Sequence, residues 1–274
     1  MPSCLEILKP RAIAPSCAPI DYSDITELPG SRASREELSR LRHRYRTAAA
    51  YCFGKDVLEV GCGAGQGLGY LAKRARRVVG GDCTHANLLR AQEYYAERAN
   101  LVRLDAHDLP FPDASFDVLL LFETVYYLRE PGEFLAESRR VLRRNGVLII
   151  CTVNKDWRDF HPSPWRVRYF SAPELAERLR AQRFEVELFG AYPVSEASVR
   201  DRLLSLIKRA AVRSHLMPGT MKRKELLKRI FFGKLAPIPP EIDGDGPEYE
   251  PPVPISAEVS ESRFKVLYAM AYAR

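Results

Sequence analysis

The pattern of apolar and polar positions changes character at Ser34. From there Leu38, Leu41, Tyr45 and Ala48 or Ala49 recur at three- to four-residue spacing, which predicts one buried face of a helix. Ser34 with Glu37 three residues on forms a capping box at its start. Short apolar segments then alternate with helical ones. Strands are expected at Asp56–Val60, Arg77–Gly81, Leu101–Leu104, Phe116–Phe122 and Gly146–Val153. Helices are expected at Gly67–Ala75, Asn87–Ala96 and Glu133–Leu142, with a short helix after Phe122. Phe116–Phe122 reads FDVLLLF, a near-continuous apolar run that suits a strand covered on both faces. Helix Ala172–Ala181, strand Phe184–Phe189 and a final strand Phe264–Tyr272 complete the series. Alternation of this kind implies an α/β, doubly wound, mainly parallel sheet.

Between the last two strands lie residues 190–263, too long a stretch for a plain loop. The chain thus divides into a Pro-containing extended N-terminal arm, 1–30, and one domain, 31–274, with 195–262 inserted before the last strand. The insertion is basic and helical first, then Pro-rich and acidic. Residues 195–235 hold eleven Lys and Arg against three acids, a local excess of +8 in a chain of net charge +7. Two readings stay open. The helices either pack on the sheet, partly neutralised by the acidic stretch, or cap an anionic or lipid-linked ligand in peripheral contact with an anionic membrane. Nucleic acid fits less well, because Phe231 and Phe232 stand without an interleaved stacking platform.

The six cysteines contain no CxxC pair and the five histidines no ligand spacing, so no metal site is expected. With no leader-like or membrane-spanning run, a reducing cytoplasm is the expected compartment.

The chemistry is concentrated in Val57–Gly67, VLEVGCGAGQG, where an apolar strand runs into glycines 61, 63, 65 and 67 ahead of a helix. Strand, glycine turn and helix together make a nucleotide-cofactor site in a Rossmann-like sheet. The dinucleotide pattern G-x-G-x-x-G fails in both registers, ending on Gln66 or Leu68. Glu59 stands at the strand end instead. A carboxylate there would repel a pyrophosphate and attract a sulfonium or an amino group.

LEVGCGAGQG resembles motif I of the class I S-adenosylmethionine (SAM)-dependent methyltransferases, and the likeness runs from Val57 to about Val153, roughly a third of the chain. It continues at VVGGD, where Asp82 follows Gly61 by 21 residues. It continues again at DAHDLPF (Asp105–Phe111), which is similar to the adenine turn of the ubiquinone-methyltransferase-like group, then at SFDVLLLFETVYYL and VLRRNGVLIICTV. The resemblance implies a Rossmann-like seven-stranded sheet with its last strand antiparallel, SAM as cofactor and a small-molecule acceptor (sugar, quinone-like or lipid-linked). A nucleic-acid methyltransferase or a non-catalytic SAM-binding protein are the alternatives. It implies cofactor contacts at Tyr45, Glu59, Gly61, Cys62, Gly63, Gly65, Asp82, Cys83, Asp105, Ala106 and Phe122. Asp82 would take the ribose hydroxyls, Asp105 and Ala106 the adenine, and Tyr45 the methionine carboxylate.

Glu123, His161 and His107 are the candidates for acid–base work, and Tyr126, Tyr127, His161 and Trp165 for acceptor binding. Glu123 follows the fourth strand of the motif region, at the carboxyl edge where ligands bind in such sheets. It could hold the amino group of the cofactor, orient the acceptor or act as a base. Each of these residues also has a plain reading, as a solvated loop carboxylate, an exposed histidine or a packing aromatic. The FETVYY segment lacks the Asp/Asn-Pro-Pro-aromatic turn of exocyclic-amine nucleic-acid methyltransferases. It also lacks the paired acids of arginine methyltransferases. The number of subunits is not written in these motifs.

Overall fold

The computed structural model describes residues 22, 26–163, 166–194, 235–243 and 249–274. Residues 1–21, Trp165 and the basic half of the insertion, 195–234, lie outside the described residues.

Strand β1 (Arg32–Ala33) leads into helix α1 (Arg35–Ala49). The capping box forms as expected: the Ser34 hydroxyl accepts from Glu37 N at 3.2 Å, and Glu37 Oε2 accepts from Ser34 N at 2.6 Å. There follow β2 (Asp56–Val60), α2 (Leu68–Ala72), β3 (Arg77–Asp82), α3 (His85–Tyr95), β4 (Asn100–Arg103) and β5 (Phe116–Phe122). The short helix expected after β5 is a single 3-10 turn at Val125–Tyr127. Next come α4 (Pro131–Val141), β6 (Leu142–Val153), α5 (Ala172–Ala181) and β7 (Glu185–Pro193). The last strands are β8 (Ala236–Pro237), β9 (Val253–Ile255) and β10 (Phe264–Ala273).

The main sheet has the order β4-β3-β2-β5-β6-β10-β7-β9. β2 to β6 run parallel, and β10 lies antiparallel between β6 and β7. These are the seven expected strands plus the three-residue edge strand β9. β2 pairs with both β3 and β5, so the strand order reverses there and a crevice opens at its carboxyl end.

Each face of the sheet carries its own core. Leu119 and Leu121 of β5 face α4 and α5 with Phe134, Leu135, Leu175 and Leu179. Val118, Leu120 and Phe122 face the other way, with Leu41 and Tyr45 of α1, Leu71 of α2 and Leu88 of α3. This two-sided burial is why FDVLLLF lacks polar alternation.

β6 starts at Leu142, four residues before the expected Gly146. The polar Arg-Arg-Asn stretch is held in the strand because Arg143 reaches Asp56 and Asp117, both at 2.9 Å. α2 is one short piece rather than Gly67–Ala75, and the chain leaves it in turns toward β3. Among the described residues no helix is long and apolar enough to cross a membrane.

Candidate active site

β2 runs directly into the glycine turn. Gly61, Gly63 and Gly65 have φ of +74°, +57° and +80°, a region that favours glycine. The N–H groups of Gly61 and Cys62 both bond the Gly81 carbonyl, at 2.8 and 3.0 Å, which ties the turn to β3. A Cβ on Gly61 would stand 2.5 Å from Thr124 Oγ1, and one on Gly67 would stand 1.9 Å from the Tyr45 ring. The loop after β5 and helix α1 therefore close on the turn from two sides.

Two buried carboxylates line it. Glu59 is 1% exposed; the Tyr45 hydroxyl donates to its Oε1 at 2.6 Å, and its Oε2 has no partner among the described residues. Burial pushes the Glu59 carboxyl up to about 7, against the Tyr45 bond and the Arg44 charge. Asp82 ends β3 and accepts Gly63 N at 2.9 Å and Thr84 N at 2.8 Å. Burial raises its carboxyl despite these bonds. A floor with two such acids, one carrying an orphaned oxygen, suits a ligand that brings a cation and hydroxyls.

Tyr45 differs from its sequence reading in detail. Its ring stands edge-on to Phe122 at 5.2 Å, and its hydroxyl is engaged by Glu59. Cys62 is buried beside the turn, while Cys83 is exposed, its thiol raised to about 11 by burial of the sulfur and the neighbouring Asp82.

The turn after β4 presents Asp105, Ala106 and His107. Burial opposes ionisation of Asp105, but bonds from His107 N (2.9 Å) and His107 Nδ1 (2.6 Å) outweigh it and hold the carboxyl below its usual range. His107 Nε2 accepts from Glu130 N at 3.4 Å. Both ring nitrogens are therefore engaged in holding the loop.

Glu123 stands at the carboxyl end of β5 with φ +49°, an unusual conformation for a non-glycine residue. Its N–H is held by the Cys151 carbonyl at 2.8 Å, and its Oε2 accepts from the Tyr126 hydroxyl at 2.9 Å. Burial raises its carboxyl, while the Arg44 guanidinium pulls the other way. Beyond it runs a row of aromatic rings. Tyr22 to Tyr127, Tyr127 to Tyr126, Tyr126 to Tyr169 and Tyr169 to Phe160 have centroid separations of 5.6, 4.5, 4.8 and 4.7 Å. The loop after β6 is docked on this row, since Val167 N and Arg168 N both reach the Tyr126 carbonyl. His161 is exposed on that loop.

Sequence reasoning missed Arg44, Thr124 and Gln66. Arg44 is 9% exposed, pairs with Glu27 and feels the charge of Glu123. Its signal was present, because position 44 is three residues from Leu41 and shares the inward face of α1.

Comparison with known proteins bears on the family and the fold. Residues 58–150 match the family model described as a methyltransferase domain. The chain is similar to a protein of Mycolicibacterium smegmatis described as a probable S-adenosylmethionine-dependent methyltransferase, at 38% identity over 52% of this chain and 57% of that protein. It is also similar to a ubiquinone biosynthesis O-methyltransferase of Bradyrhizobium diazoefficiens, at 30% identity over 39% of this chain and 43% of the relative. A fatty-acid O-methyltransferase of Mycolicibacterium smegmatis matches at 37% identity, over 55% and 56%. The chain spans about half the length of the curated relatives it matches. Among solved structures, a SAM-dependent methyltransferase of Archaeoglobus fulgidus superposes with a TM-score of 0.55 at 16% identity, over 86% of this chain and 94% of that one, a likeness of fold.

Proposed function

We propose that this chain, which contains a domain of the class I SAM-dependent methyltransferase family, moves a methyl group from SAM to a small, largely apolar acceptor of the quinone-like or lipid-linked kind. The observation that carries the cofactor assignment is the paired burial of Glu59 and Asp82 around a turn whose glycines hold positive φ. The orphaned Oε2 of Glu59 fits a ligand with a positive sulfonium and amino group. The bound cofactor supplies an electrophilic methyl carbon. Asp82 would hold the ribose hydroxyls, Asp105 and Ala106 the adenine, and the turn from Gly61 to Gly65 the backbone approach. Glu59 would face the cationic end, oriented by Tyr45.

The acceptor reading rests on the aromatic row from Tyr22 to Phe160, which forms an apolar wall beside Glu123. Two of the relatives named above are a quinone-pathway and a fatty-acid methyltransferase, which supports that class. Glu123 would hold a proton released by a hydroxyl acceptor, a role supported by the rise of its carboxyl on burial. The charge excess of 195–235 suits an anionic or membrane-bound acceptor, and the cysteine usage suits the cytoplasm.

The test is incubation with methyl-radiolabelled SAM and an extract sorted into lipid, nucleic-acid, protein and small-molecule fractions. Label is expected in the lipid or apolar small-molecule fraction and absent with Gly63→Val, whose branched side chain fills the turn. Label in nucleic acid would select the alternative acceptor. SAM binding without label in any fraction would mark a non-catalytic SAM-binding protein.

A further inference from the structure

The glycine turn is already covered by the chain itself. The Thr26 methyl group lies 3.0 Å from where a Cβ on Gly63 would stand, so it rests on the face that glycine leaves open. Thr26 is held there from two sides: Asn87 Nδ2 donates to its hydroxyl at 3.1 Å, and that hydroxyl donates to the Tyr22 carbonyl at 2.8 Å. The next residue, Glu27, forms an ion pair with Arg44 at 2.7 Å, and its carbonyl accepts from Gln66 Nε2. Behind it, Gly30 N bonds the Ile238 carbonyl at 2.8 Å.

The pair of Glu27 and Arg44 is lopsided. The Arg44 side chain is 11% exposed and that of Glu27 is 42% exposed. Arg44 Nε is buried with no partner among the described residues. A buried guanidinium requires an anion, because an uncompensated charge in such a place is strongly destabilising. Its fork geometry accepts a carboxylate through two parallel bonds. Glu27 uses one arm of that fork. The seat belongs to the cradle, and its present occupant comes from a surface segment with solvent at its back. The Arg44 charge acts on both Glu59 and Glu123, so the seat is within electrostatic reach of the two carboxylates that the cofactor reading sets near the amino-acid end of the ligand.

We propose that Thr26 and Glu27 are a built-in occupant of the cofactor crevice, and that the carboxylate of the incoming cofactor displaces Glu27 from Arg44. This rests on the SAM reading above and adds to it an anion seat and a competitor. Two groups cannot both touch the open face of Gly63, so binding requires Thr26 to withdraw. The exchange keeps Arg44 paired throughout, while the part-buried bonds from Asn87 to Thr26 and from Gln66 to Glu27 pass to the incoming ligand or to water. Removing the occupant raises the fraction of molecules competent to bind, which tightens apparent affinity by that fraction.

The experiment is calorimetric titration of the full chain with S-adenosylhomocysteine and with 5′-methylthioadenosine, which lacks the amino-acid end. Thermal melts serve as the check on folding. Glu27→Gln is expected to bind S-adenosylhomocysteine roughly threefold to tenfold more tightly. Arg44→Lys is expected to bind it about tenfold more weakly, since the fork is lost, with 5′-methylthioadenosine unaffected. Unchanged or weaker binding in Glu27→Gln overturns the competitor. Equal loss of both ligands in Arg44→Lys overturns the anion seat. A wild-type chain that binds neither ligand instead removes the cofactor reading on which both rest.

Discussion

A carboxyl buried beside a glycine turn has opposite effects on stability and on binding. Glu59 titrates near 7 in the folded chain and close to its ordinary carboxylate value when unfolded. The folded state therefore binds the Glu59 proton more tightly, so stability is gained as pH falls from about 7 toward the ordinary value and is lost as pH rises. The melting temperature of the cofactor-free protein should drop as pH rises from about 5 to about 7 and level off above that, an effect worth at most about 3 kcal/mol. Glu59→Gln should flatten that slope. Affinity for SAM should run the other way, rising with pH by up to about tenfold per unit, because the ionised form attracts the cation. Titrations at three pH values showing no such rise would detach Glu59 from the cationic end of the ligand. Glu123→Gln keeps the shape and the Tyr126 contact, so its melting temperature should stay close to wild type while kcat or SAM affinity falls. Full activity in that variant would return Glu123 to a loop carboxylate. Glu59, Asp82 and the glycines were legible in the sequence because acid and glycine at a strand end have few other uses. Arg44 shares the inward spacing of α1, but that spacing alone did not single it out, because within RHRYR a buried cation looks like one more solvated base.

At the scale of elements, the strands were legible through their apolar runs and their ends were not. β6 begins early because a charged cluster, rather than an apolar pattern, holds its first turn. Asp56 at the start of β2 is the hub: its side chain is 6% exposed and takes Arg76, Arg77 and Arg143, so it joins β2 to β3 and β6. Burial opposes its charge, but bonds from Arg76 and Arg143 outweigh it and lower the carboxyl. That stability is present above the unfolded carboxylate value and is lost as pH falls through the folded one. Asp56→Asn should destabilise the fold by on the order of 2 kcal/mol in denaturant titration, less than for a fully buried pair because Arg76 and Arg143 keep contact with water. It should leave SAM affinity untouched, since the hub lies at the opposite end of the strands from the crevice. A loss of affinity without a loss of stability would contradict that separation.

For the whole molecule, the doubly wound architecture followed from alternation, whereas the covering of the crevice by its own N-terminal segment did not. Contacts such as Thr26 on Gly63 join residues far apart in the chain and leave no periodic trace. The insertion was legible as length, charge and helical spacing, and its basic half lies outside the described residues. Reversing Lys222, Arg223, Lys224, Lys228 and Arg229 together should weaken binding to vesicles containing anionic lipid, or raise the acceptor KM, with added salt acting in the same direction. SAM affinity should persist. Indifference of both vesicle binding and acceptor kinetics would make the segment scaffold. The position of β10 has a consequence for biosynthesis. It lies between β6 and β7 although it follows both in the chain, separated from β7 by the entire insertion. While the ribosome is still translating the insertion, β6 and β7 wait with unpaired edges. The nascent chain thus passes through an interval in which two strand edges of its main sheet lack their partner. Only the emergence of Phe264–Ala273 closes the sheet from within.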